Sequence, residues 1–362
     1  MKVLFFHLYN DFSGSPKVLK QVLDVLQAKG ENMCVYVGKD GTGILDTSPT
    51  EKRKYFYKRS SSKIITLFNY FVSQCHLFLL LLFSNTTRKT TTIYVNTLLP
   101  FGAAIYGKLT GKRVIYHLHE VSVHPRIFLS FLTLVAKHTA DKLIYVSKYH
   151  FKELSINPQK SEVLYNTLSE QFEKKAMKHN YLGFYEGVFN VVMLASLRDY
   201  KGIPEYISLA ELLIQTTNIH FHLVPNAEEH EINSYFKDLQ TPTNLTVHAM
   251  TRNPSNYYKM ASVVLNLSNP DQWIETFGLT ILEAMAFGIP VIAPPVGGPT
   301  ELIEDGVEGF LVDGRETDKI SEYILRLYTN KTICKSMSNA AKEKSQQFSR
   351  TAFDQQLTQL LQ

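Results

Sequence analysis

Two glutamates lie on either side of the predicted start of one short helix. Glu275 precedes the helix, Glu283 lies about one turn inside it, and Gly278 stands just before its first apolar residue. The free N–H groups and partial positive charge of a helix N-terminus suit a phosphate group. Carboxylates on both sides would repel that phosphate unless each accepts hydrogen bonds from hydroxyl groups. A phosphate between two hydroxyl-bearing groups describes a nucleotide sugar.

The elements that must position these residues follow from the alternation of short apolar runs with longer amphipathic ones, which is typical of βα units and parallel sheets. The predicted strands are 3–6, 34–37, 93–95, 114–116, 143–146 and 163–165 in the first half, and 189–195, 219–224, 245–248, 263–267, 290–293 and 309–312 in the second. The predicted helices are 16–27, 64–83, 101–109, 127–138 and 149–154, then 203–215, 228–238, 254–260, 278–287, 299–304 and 316–328.

This pattern predicts an α/β chain with two Rossmann-like, doubly wound domains facing across a cleft. We expect the first domain at 1–170, a polar connection at 171–187, and the second domain at 188–345, with a C-terminal helix at 346–362 packing back on the first. Ligands of such sheets bind beyond the carboxyl ends of the strands, so we expect the site in the cleft.

Composition narrows the class of protein. The 362 residues are 44% hydrophobic and 20% charged, which suits a globular chain of about two domains and not a disordered one. The net charge of +5 suits an anionic small molecule or surface better than nucleic acid. The N-terminal apolar run, 3–6, is too short for a signal peptide. The three cysteines are far apart, which favours a reducing compartment over a disulfide framework: Cys34, Cys75 and Cys334.

The segment from Trp273 to Val312 resembles the signature of the retaining glycosyltransferases of family 4 (group 1), which have the GT-B fold. The resemblance rests on two glutamates separated by seven residues, followed by Gly-Ile-Pro-Val-Ile and Gly-Gly-x-x-Glu. It implies that Glu275 holds hydroxyls of the transferred sugar and that Glu283 accepts from the ribose. The backbone N–H groups of Phe277, Gly278 and Leu279 would meet the sugar and diphosphate. The nucleotide sugar would bind to the second domain and the acceptor to the first.

Two cations follow the strand at 189–195. The resemblance implies that Lys201, followed by Gly202, binds the diphosphate, and a cation there can stabilise a departing phosphate. The chain has Ser196 where many relatives have Arg, and Arg198 is the candidate replacement. The alternative for both cations is an ordinary surface charge.

Two histidines and a glutamate follow the strand at 114–116. The resemblance implies that His119, followed by Glu120, contacts the donor sugar, but His117 lies on the same side of the strand, so alternation alone does not choose between them. A metal site and a structural histidine remain alternatives, although the resemblance implies metal-independent chemistry.

Other binding residues come from loops. Gly14, after the first strand, lets the backbone approach a phosphate, although the alternative is an ordinary βα turn. Asn226 and Thr251 are candidate contacts of the nucleobase, since they follow the strands at 219–224 and 245–248.

The implied enzyme is a retaining, metal-independent glycosyltransferase of the hexosyltransferase type. It would need no cofactor and would use a UDP or GDP sugar as donor and an acceptor hydroxyl in surface polysaccharide or glycolipid assembly. An epimerase or glycogen-type synthase on the same scaffold is one alternative. Another is a catalytically inactive partner that binds a nucleotide sugar. A dinucleotide-dependent oxidoreductase is disfavoured because no G-x-G-x-x-G follows the first strand.

Residues 51–83 admit three interpretations. Six basic residues between 52 and 63 precede 20 mostly apolar ones at 64–83. The segment could be a transmembrane helix, a buried crossover helix, or an element that docks on an anionic membrane surface. We expect a cytoplasmic protein, with peripheral contact to the membrane through 51–83.

Overall fold

The computed structural model describes residues 2–84, 90–121 and 123–361. It divides into two units, the first formed by Met1–Asn166 with Asp354–Gln362 and the second by Thr167–Phe353. The segment predicted as a connection, 171–187, falls inside the second unit, where Ser169 caps a helix by accepting a hydrogen bond from the N–H of Phe172. The sequence prediction missed this helix because it has no continuous apolar stripe.

Within the described residues, the first unit has a parallel sheet of seven strands in the order β3-β2-β1-β4-β5-β6-β7. Its strands are β1 (Lys2–His7), β2 (Asn32–Gly38), β3 (Glu51–Tyr55), β4 (Thr91–Asn96), β5 (Val114–Leu118), β6 (Lys142–Tyr145) and β7 (Ser161–Val163). Its helices before the second unit are α1 (Gly14–Ala28), α2 (Lys63–Leu82), α3 (Phe101–Leu109), α4 (Arg126–Thr139) and α5 (Lys148–Glu153).

The second unit has a parallel sheet of six strands among its described residues, in the order β10-β9-β8-β11-β12-β13. Its strands are β8 (Phe189–Ala195), β9 (Ile219–Pro225), β10 (Leu245–Val247), β11 (Val263–Leu265), β12 (Val291–Ala293) and β13 (Gly309–Leu311). Its helices are α6 (Glu170–Met177), α7 (Ile203–Leu212), α8 (Glu229–Phe236), α9 (Ser255–Met260), α10 (Leu279–Ala286), α11 (Pro299–Leu302), α12 (Thr317–Thr329) and α13 (Lys331–Ser345). The last helix, α14 (Arg350–Leu361), begins in this unit and ends in the first.

The two sheets confirm the predicted fold class of two Rossmann-like, doubly wound α/β domains. In each sheet the strand order reverses beside the first strand of the unit, between β1 and β4 in the first and between β8 and β11 in the second. The central strands, such as β1, β5 and β8, are nearly continuous apolar runs because helices cover both faces of a parallel sheet. Each unit has its own apolar core, built mainly from these strands and the helices that cover them.

The end of α14 belongs to the first unit through hydrogen bonds to the chain there. The guanidinium of Arg113 donates to the carbonyls of Leu360 and Leu361 at 3.1 and 2.7 Å. The side-chain amide of Gln356 donates to the carbonyl of Val163 at 2.6 Å. Leu357, Leu360 and Leu361 are also buried, so this last segment is not a solvated tail.

Helices α2 and α3 of the first unit pack unusually closely. The N–H of Gly102 donates to Oε1 of Gln74 at 3.2 Å, and the hydroxyl of Tyr70 donates to the carbonyl of Leu99 at 2.7 Å. A Cβ atom on Gly102 would lie 2.4 Å from the backbone oxygen of Gln74. This spacing therefore requires a residue without a side chain.

We predict that Gly102→Ala lowers the free energy of unfolding by about 1–3 kcal/mol, because the two helix backbones must move apart. At an exposed helical position the same change stabilises the helix by about 1 kcal/mol, so a loss of stability here would point to the close packing. Urea unfolding measures the effect, and Ser130→Ala, at an exposed position of α4, is the matched control. An unchanged or stabilised Gly102→Ala variant would contradict the close packing.

Candidate active site

The loops after β8 and β11 form the centre of the candidate site in the second unit. These neighbouring strands flank the point where the strand order reverses, and ligands of open α/β sheets bind beyond the strand ends at this point. The loop after β8 carries Arg198 and Lys201, and the loop after β11 carries Glu275. The topology therefore brings together residues that are 74 positions apart in the sequence.

Lys201 and Glu275 form an ion pair. The Lys201 Nζ lies 2.9 Å from Oε2 of Glu275 and 3.4 Å from the hydroxyl oxygen of Ser268, and the two charged side chains are 15% and 22% exposed. The same ammonium lies 4.8 Å from the ring centre of Trp273, which stacks on Tyr200 at 5.6 Å. These partners stabilise a charge that is only partly exposed to water.

Two glycines allow the backbone contacts that bring this ion pair together. Gly202 has a φ of 82°, and a Cβ atom there would lie 2.4 Å from the carbonyl oxygen of Leu267, beyond the end of β11. Gly297 has a φ of 86°, and its Cβ atom would lie 2.4 Å from the carbonyl oxygen of Glu275. Since L-residues rarely adopt this backbone region and would also clash, both positions require glycine.

Helix α10 begins four residues after Glu275, beside the predicted start at 278. Gly278 precedes its first residue, Leu279, and Phe277 is buried against the ring of Phe348 at 5.7 Å. The N–H of Gly298 donates to the carbonyl of Glu275 at 2.7 Å, which fixes the entry of the chain into the helix. The first turn of α10 therefore presents backbone N–H groups beside the Lys201–Glu275 pair.

Glu283 lies on α10 and is almost fully buried. Its Oε2 accepts a hydrogen bond from the hydroxyl of Tyr258 at 2.6 Å. Burial, together with this carboxylate, raises the pKa of Tyr258 well above its ordinary value, so the phenol stays protonated and donates. The sequence prediction missed Tyr258, because a tyrosine 25 positions from its partner in the chain carries no local signal.

A pocket of about 370 Å³ lies beside the end of β8. Arg198 and Asn226 line it, with His230, Glu231 and Tyr235 of α8. The guanidinium of Arg198 donates to the carbonyl of Leu197 at 3.2 Å, and its side chain is exposed. Among the described residues, the Arg198 side chain therefore hydrogen-bonds only within its own loop, and not with Lys201 or Glu275.

The two loop residues predicted to contact a base differ in position. Asn226 is exposed in the pocket, and its N–H donates to the carbonyl of Ala195 at 2.8 Å. Thr251 lies outside the lining of the pocket, and its hydroxyl oxygen accepts from the N–H of Asn253 at 3.0 Å. The pocket therefore gathers Asn226 with Arg198 but does not include Thr251.

In the first unit, His119 lies just beyond the end of β5 and is held by Asn96. The side-chain NH₂ of Asn96 donates to the Ser15 carbonyl at 3.2 Å and faces Nδ1 of His7 at 3.0 Å. Since a carbonyl only accepts, this contact fixes the amide orientation and points Oδ1 at Nε2 of His119, 3.0 Å away. Nε2 of His119 is therefore the protonated nitrogen.

The structure separates the two histidines that alternation could not. His117 is fully buried within β5, where Nδ1 lies 2.8 Å from the hydroxyl of Tyr94, whereas His119 is partly exposed. Burial lowers the pKa of His117 to about 3, and burial with the neighbouring His117 holds that of His119 well below its usual range. Both rings are therefore neutral near pH 7, and His119 is the one at the strand end.

Glu120 follows His119, and its carboxylate accepts hydrogen bonds from two backbone donors. Its Oε2 accepts from the N–H of Leu98 at 3.3 Å and of His119 at 3.2 Å, while its carbonyl lies 3.0 Å from Nε2 of His150. Burial raises the pKa of this carboxyl to about 7, and the two N–H donors oppose the shift. Glu120 is therefore a carboxyl poised to change charge near neutral pH.

Gly14 is the first residue of α1, and the backbone just before it is hydrogen-bonded to the carboxylate of Asp11. Oδ1 of Asp11 accepts from the backbone N–H of Ser13 at 2.9 Å. A carboxylate on this N–H disfavours a second anion at the same helix start. In the part of the chain that the structure describes, no group of three or more His, Cys, Asp or Glu side chains is arranged to hold a metal ion.

Comparison with known proteins agrees with the geometry of the second unit. Residues 174–344 match the model of the family described as glycosyl transferases group 1. The second unit belongs to this family. D-inositol 3-phosphate glycosyltransferase of Kribbella flavida is 39% identical over 94 residues, which are 26% of this chain and 21% of that protein. N-acetyl-alpha-D-glucosaminyl L-malate synthase of Bacillus anthracis is 25% identical over 52% of this chain and 50% of its own length.

These matches span at most half of the two curated relatives, so they identify a domain and not a whole activity. The fold extends over the whole chain. The structure of Anabaena HepE in complex with UDP and glucose has a TM-score of 0.78, with 20% identity, 100% coverage of this chain and 99% of that one. The GT-B fold implied by the sequence resemblance is confirmed.

We predict that Glu120 makes stability depend on pH between its unfolded and folded pKa values, 4.5 and about 7. In this window the folded chain binds more protons than the unfolded one, so the contribution of Glu120 to stability falls as pH rises. Glu120→Gln removes the contribution. The unfolding free energy of the variant, minus that of the parent, should therefore rise across the window by up to about 1.4 kcal/mol per pH unit and then level off.

Urea unfolding at a series of pH values measures this difference, and the buried histidines cancel because both proteins contain them. Glu153→Gln, at an exposed position of α5, controls for the loss of one negative charge. A difference that is flat across the window would contradict the raised pKa of Glu120.

Proposed function

We propose that this protein is a retaining glycosyltransferase that moves a sugar from a nucleoside diphosphate sugar to an acceptor hydroxyl. The observation that carries the proposal is the Lys201–Glu275 ion pair beside the N-terminus of α10, with the buried Glu283 in the same helix. Family membership of the second unit supports this interpretation. The complex of the HepE neighbour with UDP and glucose supports a donor of this chemical class.

In the proposed complex the diphosphate binds to the backbone N–H groups of Phe277, Gly278 and Leu279 and to Lys201. Helix N-termini and ammonium groups both favour phosphate. Glu275 accepts hydrogen bonds from hydroxyls of the transferred sugar, and Glu283 accepts from the ribose. The nucleotide is a UDP or GDP moiety, and Arg198 and Asn226 are its proposed contacts at the pocket beside β8. Thr251 is a weaker candidate because it lies outside that lining.

The proposed reaction breaks the bond between the anomeric carbon and the diphosphate oxygen and forms a bond from the same carbon, on the same face, to the acceptor oxygen. The proton of the acceptor hydroxyl goes to the departing phosphate, so this scheme needs neither a side-chain base nor a metal ion. Lys201 and the α10 amides stabilise the charge that develops on the leaving group. Glu275 and the neutral His119 are the proposed sugar contacts that orient the reacting carbon.

The acceptor class that we propose is a growing surface polysaccharide or a glycolipid, reached from the cytoplasm. The exposed apolar surface of the first unit supports a membrane-bound acceptor. The rival function is an inactive protein that binds a nucleotide sugar for another transferase, and Ser196 in place of the arginine of many relatives favours it.

Donor binding is measurable through Trp273, the one tryptophan of the sequence. It stacks on Tyr200 and lies under the Lys201 ammonium, so a diphosphate that draws this ammonium changes the surroundings of the indole. We predict that UDP, GDP, UDP-glucose or GDP-mannose changes the fluorescence of the protein on selective tryptophan excitation and raises its melting temperature. If none of these four probes does either, the proposed function is wrong.

We predict different effects for the two glutamates. Glu275→Ala should reduce transfer, and the slow release of nucleotide from the donor without acceptor, by about 10²–10³-fold or more, because it removes a contact to the reacting sugar. Binding of the free nucleoside diphosphate should be largely retained. Glu283→Ala should instead weaken nucleotide binding about 10- to 100-fold, since it removes charged hydrogen bonds.

Two variants serve as matched controls. Tyr258→Phe keeps the Glu283 carboxylate and removes only its hydrogen-bond donor, so its effect on binding should be smaller than that of Glu283→Ala. Glu316→Gln removes an exposed negative charge of the same unit and should leave both measurements unchanged. Full turnover by Glu275→Ala would overturn the mechanism, whereas tight donor binding with no turnover on any acceptor would favour the inactive partner.

A further inference from the structure

The first unit exposes apolar side chains on one side of α2. The side chains of Ile64, Phe68, Phe71, Cys75, Leu79 and Leu82 follow one another at spacings of three or four residues, so they form one stripe along the helix. Ile64 is 81% exposed and Phe68 is 67% exposed. Among the described residues, α2 is the one helix long and apolar enough to cross a membrane, and 28% of its apolar window is buried.

Helix α2 buries two polar side chains while it exposes several large apolar ones. Its polar residues Ser73 and Gln74 are fully buried, and Gln74 accepts a hydrogen bond from the N–H of Gly102 in α3. The same side of α2 also buries Leu77 and Leu81, whereas the side chains of the stripe face outward. This arrangement overturns the predicted alternative of a fully buried crossover helix. A transmembrane crossing is also disfavoured, because it would break the hydrogen bonds of Tyr70 with the Leu99 carbonyl and of Gln74 with Gly102 of α3.

A second helix continues the apolar stripe. On α4, Ile127, Phe131 and Leu134 are exposed at the same helical spacing, and Ile127 is 80% exposed. The ring of Phe131 lies 6.0 Å from that of Phe71 on α2, so the exposed sides of the two helices meet. We call this joint surface the α2–α4 face.

Charge indicates what the α2–α4 face contacts. Between Glu51 and Asp141 the sequence contains one acidic residue, Glu120, whose carboxylate accepts from the N–H of His119, and neither α2 nor α4 contains any. Basic residues border the apolar positions: Lys63 precedes Ile64, Arg126 precedes Ile127, and Lys137 follows Leu134. All three are exposed. An apolar stripe edged by cations suits an anionic bilayer surface, where apolar side chains enter the acyl region and cations meet head groups.

The structure also revises which cations take part. Lys52 and Arg53 of the predicted basic segment belong to β3, which pairs with β2. The ammonium of Lys52 donates to the carbonyl of Ser48 at 2.6 Å, and the guanidinium of Arg53 pairs with Glu51 at 2.8 Å. These two charges therefore already have partners in the first unit, whereas Lys63, Arg126 and Lys137 directly border the apolar positions of α2 and α4 in the sequence.

We propose that the α2–α4 face docks this protein on an anionic lipid surface, with α2 lying in the plane of the membrane interface. The proposal does not depend on the function proposed above, since lipid binding needs neither donor nor acceptor. It adds α4, which the sequence did not indicate, to the surface.

Vesicle flotation tests the proposal. The full chain should float with vesicles of equal parts phosphatidylcholine and phosphatidylglycerol, and much less with vesicles of phosphatidylcholine alone. Raising the salt concentration should reduce the bound fraction, because it screens the cations. The double variant Ile64→Ser/Phe68→Ser should bind at least about tenfold more weakly, as should Ile127→Ser/Leu134→Ser if both helices contact lipid.

The matched control is Leu182→Ser/Leu212→Ser, which removes two exposed leucines from the second unit and should float like the parent. All of these side chains are exposed, so melting temperatures should stay close to that of the parent, which separates lost binding from lost folding. The proposal is overturned if the parent does not float with anionic vesicles or floats equally with neutral ones. It is also overturned if the α2 variant floats like the parent, or if the face instead joins two copies of the chain in gel filtration without binding vesicles.

Discussion

The ammonium group of Lys201 is the charge around which the second unit's site is arranged. It lies between the Glu275 carboxylate, the Ser268 hydroxyl and the Trp273 ring, with little exposure to water. A charge in this position is stable only while it has partners, and the carboxylate is the strongest of them. In the proposed complex, a diphosphate at α10 would compete with Glu275 for the same ammonium. Donor binding and release of the Glu275 carboxylate toward the sugar are therefore coupled steps in the proposed function.

The contacts that hold this pair are made by backbone as much as by side chains. Gly202 and Gly297 each press against a carbonyl oxygen of another loop, at distances that leave no room for a Cβ atom. The glycines of the Trp273–Val312 segment were recognisable in the sequence because they stand in fixed order with the two glutamates. Why glycine is required at Gly202 and Gly297 was not recognisable in the sequence. Leu267 becomes the neighbour of Gly202, and Glu275 that of Gly297, only after β8, β11 and β12 are paired.

The sequence was informative where the pattern is local. Apolar runs predicted the strands near every sheet centre, and the glycine before Leu279 predicted the start of α10. It failed at β3, whose Lys and Arg residues indicated an exposed basic segment but pair at the edge of the sheet, where such residues are tolerated. Helix α13 was missed as well, and the Asn96 link between His7 and His119 joins residues from three strands or strand ends that no spacing relates.

The cysteines have a practical consequence for the α2–α4 face. Cys34 and Cys334 are buried, and burial raises the pKa of both thiols, that of Cys34 to about 11, which suppresses the reactive thiolate. Cys75 is exposed in the middle of the α2 stripe. The natural chain therefore presents a single accessible thiol, and it lies on the surface of interest. A solvatochromic dye coupled to it senses local polarity there without any cysteine first being removed.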